Sequence, residues 1–300
     1  MAKFTFEIDV YSDPICPWCY LGKEALDRAM DTYTAQHPEA EFKLNWKPYL
    51  LWPNAGVSAY DKGASLRAVY GPNAAVMFDR LARLGAQYGI EFKWEGKTGS
   101  SRDAHKLMLL AMEKDAAAAA AAAALSSPLS WTSPNSPPTP EPATTTTTTT
   151  TTTPGTPQPS YKSTHLHRTQ THLYTATFQH GHDISSRAFL ARAAVELGLF
   201  PTEAAALAYL ARDDDDNNNN ETKTNGAEPT TTTSTTTRRA PQCAVDAASA
   251  RARQVGVSAV PSYVVQARWQ VGGMQAEEVW MGVFGRVRAA VEAEGEGGGC

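Results

Sequence analysis

Two cysteines one helical turn apart, in the run Cys16-Pro17-Trp18-Cys19, constrain this chain more than any other feature. Before them, Phe4, Phe6, Ile8 and Val10 recur at every second position, the period of a strand with one buried face. After them, Leu21, Ala25, Leu26, Ala29, Met30 and Tyr33 recur at helical spacing. The pair therefore sits where a strand hands over to a helix N-terminus. In that context Cys-x-x-Cys reads as a dithiol that can close, open and trade a disulfide.

The reactive species of such a pair is the thiolate, and a free thiol has a pKa near ~8.5. A helix N-terminus offers unpaired N–H groups and the positive end of the helix dipole, both of which favour the anion. Pro17 falls at the first helical position, where its missing N–H costs nothing. Cys16 is thus expected to attack, and Cys19, one turn further in and less exposed, to resolve the mixed disulfide. Asp13 is a candidate proton acceptor for Cys19 and equally a turn former. A zinc half-site would need further ligands at short spacing. Cys243 and Cys300 stand alone in low-complexity surroundings and read as free thiols, so no metal is expected. His180-Gly181-His182 reads as a turn between helices, and His105 suits a surface position as well as a ligand.

The net charge of -4 gives no reason to expect a nucleic-acid or anionic-membrane partner. No run approaches the ~18 apolar residues of a membrane span. Met1-Ala2-Lys3 leads straight into the first strand without the parts of a signal peptide. Only four cysteines occur, too few for a disulfide scaffold, so the expectation is a redox-active pair in a reducing, cytoplasmic setting.

The chain is interrupted by tracts with little to bury. An alanine run, a Ser/Pro-rich stretch and a threonine tract fill residues 116–160, and four Asp, four Asn and more threonine fill the second tract. Ala116 to Ala124 suits an extension of the preceding helix. The division expected is residues 1–56 as the first part of a thioredoxin-like domain (strand, helix, strand) and 57–212 as a helical insertion subdomain. Within the latter, 116–171 reads as low-complexity and disordered. Residues 213–241 read as a second disordered insert, and 242–294 as the second part (helix, strand, strand, helix). The tail 292–300 reads as frayed. The fold class is α/β: a thioredoxin-like fold with an inserted all-helical subdomain and two disordered low-complexity insertions. The opening strand–helix–strand implies a parallel pair with a right-handed crossover, and the late close-spaced strands an antiparallel hairpin on the same sheet.

A second feature supports redox chemistry. Val260-Pro261 precedes the strand that starts at Ser262. An X–Pro bond adopts the cis form at modest cost. A cis proline beside the dithiol would leave the Val260 backbone to pair with an extended substrate. The plainer alternative is an ordinary proline at a strand start.

These stretches resemble the DsbA-like thioredoxin-fold oxidoreductases, in the FrnE-like branch related to 2-hydroxychromene-2-carboxylate isomerase and kappa-class glutathione transferase. The likeness lies in residues 13–23 around the dithiol, 101–107 with Ser101-Arg102-Asp103-Ala104-His105, 178–184 with His180-Gly181-His182, and 256–261 ending in Val260-Pro261. It implies Cys16 and Cys19 as the redox pair, Pro261 as the cis proline, and a helical lid over the site. Pro17, Trp18, Val260 and Pro261 would contact substrate, which would be a protein or small-molecule thiol or disulfide. No resident cofactor is implied, glutathione entering only as a co-substrate; a homodimer is left open. The isomerase and transferase relatives usually carry serine at the first active position. Keeping both cysteines favours thiol–disulfide exchange over a glutathione-dependent isomerase or transferase, in which Trp18, Trp46 and Trp52 would line a pocket beneath the lid, although core packing suits Trp46 better.

Overall fold

The computed structural model describes residues 3–56, 60–126, 160–218 and 244–297. The chain begins with β1 (Phe4–Ser12), α1 (Pro17–Gln36) and β2 (Ala40–Pro48). A two-residue strand β3 (Tyr60–Asp61) leads into α2 (Lys62–Tyr70) and α3 (Ala74–Gln87), and β4 (Lys97–Thr98) pairs back with β3. The long α4 (Arg102–Ser126) follows, then α5 (His165–Phe178), α6 (Arg187–Glu196) and α7 (Glu203–Asn218). The chain returns through α8 (Ala244–Gln254), β5 (Ser262–Val265), β6 (Trp269–Gly272) and α9 (Glu277–Gly297).

The main sheet has the order β2-β1-β5-β6. β1 and β2 are parallel, as the strand–helix–strand start predicts, and β5 and β6 form the predicted antiparallel hairpin against β1. Phe6 and Ile8 are fully buried and Val10 nearly so, because alternation sends one face of β1 into the core. Phe6, Tyr33, Phe42 and Phe284 pack there with ring centroids 5.0–6.2 Å apart, joining β1, α1, β2 and α9. The fold is mixed α/β, the expected thioredoxin-like sheet with helices carried between β2 and β5.

Several boundaries differ from expectation. Residues 116–126 are helical, the alanine run continuing α4 with its side chains in solvent. Residues 160–171 are ordered too. Tyr161 is buried, its hydroxyl donating to the Asp27 carbonyl oxygen and to Asp31, and Leu166 packs in the core. Asp115 of α4 caps the start of α5 by accepting the N–H groups of His165 and Leu166 at 2.7 and 2.9 Å. Helix α7 runs into the second insert as far as Asn218, and α9 continues through 292–297, where fraying was expected. The rest of both inserts lies outside the described residues, as do Cys243 and Cys300. Among the described residues, no helix is long and apolar enough to cross a membrane.

Candidate active site

Cys16 is the N-cap of α1, in extended backbone, and Pro17 occupies the first turn. The turn before it is built by Asp13. The Asp13 carbonyl accepts the Cys16 N–H at 3.0 Å, and its carboxylate accepts the N–H groups of Ile15 at 3.3 Å and Leu51 at 2.7 Å. Asp13 thus performs the turn-forming role, and it ties the dithiol loop to the segment after β2.

The Val260–Pro261 peptide is cis, and the Val260 carbonyl oxygen lies 3.9 Å from Cys16 Sγ. The chain thereby brings together residues 244 positions apart. Helix α1 presses directly on this loop at Gly22. A Cβ there would stand 2.5 Å from the Tyr263 hydroxyl and 2.9 Å from Pro261 Cγ. Only a residue without a side chain permits that approach.

Both cysteines are free thiols and both are buried, Cys16 at 4% and Cys19 at 2% exposure. The expected contrast in exposure is therefore nearly absent, because helices cover both. Cys16, Cys19 and Tyr20 pack with Leu81, Ile90, Tyr174 and Phe178, and Trp18, Tyr70, Val260 and Met274 lean on the same cluster. Tyr20 and Tyr174 stack at 5.2 Å; a second stack of Phe92, Trp94 and Phe78, at 5.0 and 4.6 Å, meets Tyr20 edge-on through Phe92 at 6.1 Å. Burial, then the neighbouring Cys16 sulfur, push the Cys19 thiol well above its ordinary range; Ser12 and the Asp13 backbone oppose this through hydrogen bonds. Cys19 is a protonated thiol at neutral pH in the reduced protein.

Several residues around the pair escaped the sequence reading. Ser12 Oγ and Tyr174 Oη share a hydrogen bond of 2.8 Å beside Cys19. Behind Cys19 lies a cavity of about 10 Å³, lined in part by Ser12, Lys23, Asp27, Tyr174 and Tyr263. That is the room of about one water molecule. Lys23 and Asp27 form a buried i,i+4 ion pair at 2.8 Å, and Asp27 also meets His167 Nε2 at 2.7 Å. Burial would raise the Asp27 carboxyl, but Lys23 and His167 outweigh it and hold it below the usual carboxylate range. An i,i+4 Lys/Asp pair ordinarily reads as a solvated helix face; here α5 arrives to bury it.

His105 is not a surface residue. It is fully buried; its Nδ1 accepts the Trp46 indole N–H at 3.0 Å, and its Nε2 stands 3.5 Å from Asp13 Oδ1. Trp46 is a core residue on β2, and Trp52 packs against the main core rather than the dithiol cluster. Trp18 alone of the three tryptophans touches that cluster, with Arg80 5.2 Å above its ring. The described residues hold no group of three or more His, Cys, Asp or Glu placed to bind a metal.

Residues 7–129 match the family model of the DSBA-like thioredoxin domain. Among solved structures, a probable DsbA oxidoreductase from Streptomyces coelicolor aligns with 95% of this chain and 90% of its own, at 18% identity and a TM-score of 0.61. A putative protein disulfide isomerase from Nitrosomonas europaea aligns with 94% of this chain and 97% of its own, at 11% identity and a TM-score of 0.48. The cytosolic disulfide reductase DsbM from Pseudomonas aeruginosa aligns with 95% and 99%, at 14% identity and a TM-score of 0.45. The first of these likenesses shows the fold. No curated protein matches the chain.

Proposed function

Starting from the DSBA-like thioredoxin domain of residues 7–129, we propose that this chain is a thiol–disulfide oxidoreductase with Cys16 and Cys19 as its redox pair. The observation that carries this is the meeting of a helix N-cap cysteine with the cis Val260–Pro261 loop, 3.9 Å from sulfur to carbonyl oxygen.

In the reducing direction the Cys16 thiolate attacks one sulfur of a substrate disulfide. The substrate S–S bond breaks, a Cys16 mixed disulfide forms, and the departing thiolate takes up a proton. Cys19 then gives up its proton and attacks the Cys16 sulfur. The second substrate thiol leaves, and the pair remains as a disulfide, two electrons poorer. Val260 offers backbone to an extended substrate, while Pro17, Trp18 and Pro261 form the apolar rim against which it lies. The substrates are protein or small-molecule thiols and disulfides, with no resident cofactor.

Trapping tests this reading. Cys19→Ala, mixed with a labelled disulfide, should accumulate an adduct on Cys16, and the unaltered pair should cycle between oxidised and reduced forms. Absence of both would remove the proposal. Calorimetry with glutathione separates the alternative of a glutathione-dependent isomerase or transferase: tight binding that survives Cys19→Ser would favour it.

A further inference from the structure

Away from the sulfurs, α5 and α6 form the two walls of a cleft of about 580 Å³. That volume falls within the ~300–1,000 Å³ of small-molecule sites. Neither Cys16 nor Cys19 lines it. Arg168 projects from α5 and Arg192 from α6, and among the described residues neither guanidinium has a carboxylate partner. Between them Phe189 lies nearly parallel to two imidazoles, at 4.9 Å and 8° from His182 and at 6.3 Å and 13° from His172. One carboxylate lines the cleft, Glu196, 3.9 Å from His172 Nε2. Its single charge does not balance two guanidiniums.

We propose that this cleft binds a small organic anion, a carboxylate or phosphate on a flat apolar body. The planar forks of Arg168 and Arg192 suit either oxyanion, since each can be gripped through two parallel N–H bonds. The Phe189 wall, continued by Ala176, Ala193 and Leu197, suits the apolar body. The positive field of the cleft is that of the two guanidiniums. Burial, together with His182 and His180, holds His172 below its ordinary pKa, with Glu196 working the other way. The same cleft touches His167, which holds Asp27 behind Cys19, so an occupant sits one hydrogen bond from the ion pair that lines the Cys19 cavity.

Isothermal titration of the full chain tests the assignment, with phenyl phosphate, benzoate, inorganic phosphate and acetate as probes. Phenyl phosphate or benzoate should bind more tightly than the ringless ion of the same charge group. Comparing those two arms identifies the preferred oxyanion. The double variant Arg168→Gln/Arg192→Gln should weaken binding at least about tenfold, by loss of charge-assisted hydrogen bonds. Arg168→Lys/Arg192→Lys should recover part of it. Both arginines are exposed, so these variants should melt like the parent. Silence from all four probes at millimolar concentration would overturn the site. So would binding that the glutamine variant leaves unchanged, or equal affinity with and without the ring.

Discussion

His105 Nε2 stands 3.5 Å from the Asp13 carboxylate, with both side chains fully buried. The Trp46 indole N–H already fills Nδ1, so in the neutral imidazole the proton sits on Nε2, toward Asp13. Nε2 makes no hydrogen bond among the described residues, and the carboxylate supplies its electrostatic counterpart. Asp13 in turn builds the turn that presents Cys16. His105→Leu should strip Trp46 of its acceptor and Asp13 of that dipole, costing about 1–3 kcal/mol in urea denaturation. His105→Gln, which keeps an amide acceptor, should lose less. Equal midpoints for all three proteins would mean that Asp13 is held without help from β2 and α4.

Much of this arrangement is legible in the sequence because its signals are local. The dithiol, the strand before it, the helix after it and Val260-Pro261 each announce themselves within ten residues. What escapes is burial imposed from afar. Lys23 and Asp27 look like a solvated pair on α1 until Tyr161 and His167, 134 and 140 residues from Asp27, close over them. The start of α5 looks like the end of a disordered tract because its cap, Asp115, lies 50 residues before it. His105 looks ambiguous because its burial depends on a tryptophan 59 residues away.

Lys62 makes the helical cover firmer as the pH rises. It is 2% exposed at the start of α2, donates to the Thr177 carbonyl oxygen, and has its pKa lowered to about 8 by burial. An unfolded lysine titrates near ~10.4, so between these values the unfolded chain binds the extra proton. Stability contributed by this group therefore rises from about pH 8 to about pH 10, by at most about 3 kcal/mol. Urea midpoints across that range should climb in the parent relative to Lys62→Met. Parallel curves for the two proteins would dismiss the effect.

Gly22→Ala examines the contact between α1 and the proline loop. The new methyl would meet Pro261 Cγ and the Tyr263 hydroxyl inside normal contact distance, so one of them must move. Overpacking of this kind typically costs about 1–3 kcal/mol. Because Pro261 adjoins Val260, whose carbonyl faces Cys16, the change should also slow mixed-disulfide formation on Cys16 in the Cys19→Ala background. A stability loss with an unaltered trapping rate would assign Gly22 to packing alone.

Access to Cys16 gives the last prediction. With the sulfur's residue 4% exposed, a disulfide substrate meets it only after the aromatic cover shifts. Tyr70 at the end of α2 is a piece of that cover, packed on the cluster beside Trp18. Its phenol is pushed up to about 12 by burial, then by Cys16, so it remains neutral at physiological pH. Fully burying a large apolar side chain is worth about 1.5–3 kcal/mol. Tyr70 is only partly buried, so its removal should favour the uncovered state by roughly 1.4 kcal/mol, a factor of about ten. Tyr70→Ala should accordingly speed iodoacetamide labelling of Cys16 about tenfold at pH 7, with Cys19→Ala present so that only one thiol is read. Tyr70→Phe keeps the ring that covers the cluster, so it should label close to the parent rate. Labelling that is already fast in the parent, and indifferent to either change, would mean that the helices leave Cys16 open to solvent on the reaction timescale and that the aromatic stack serves the core rather than the gate.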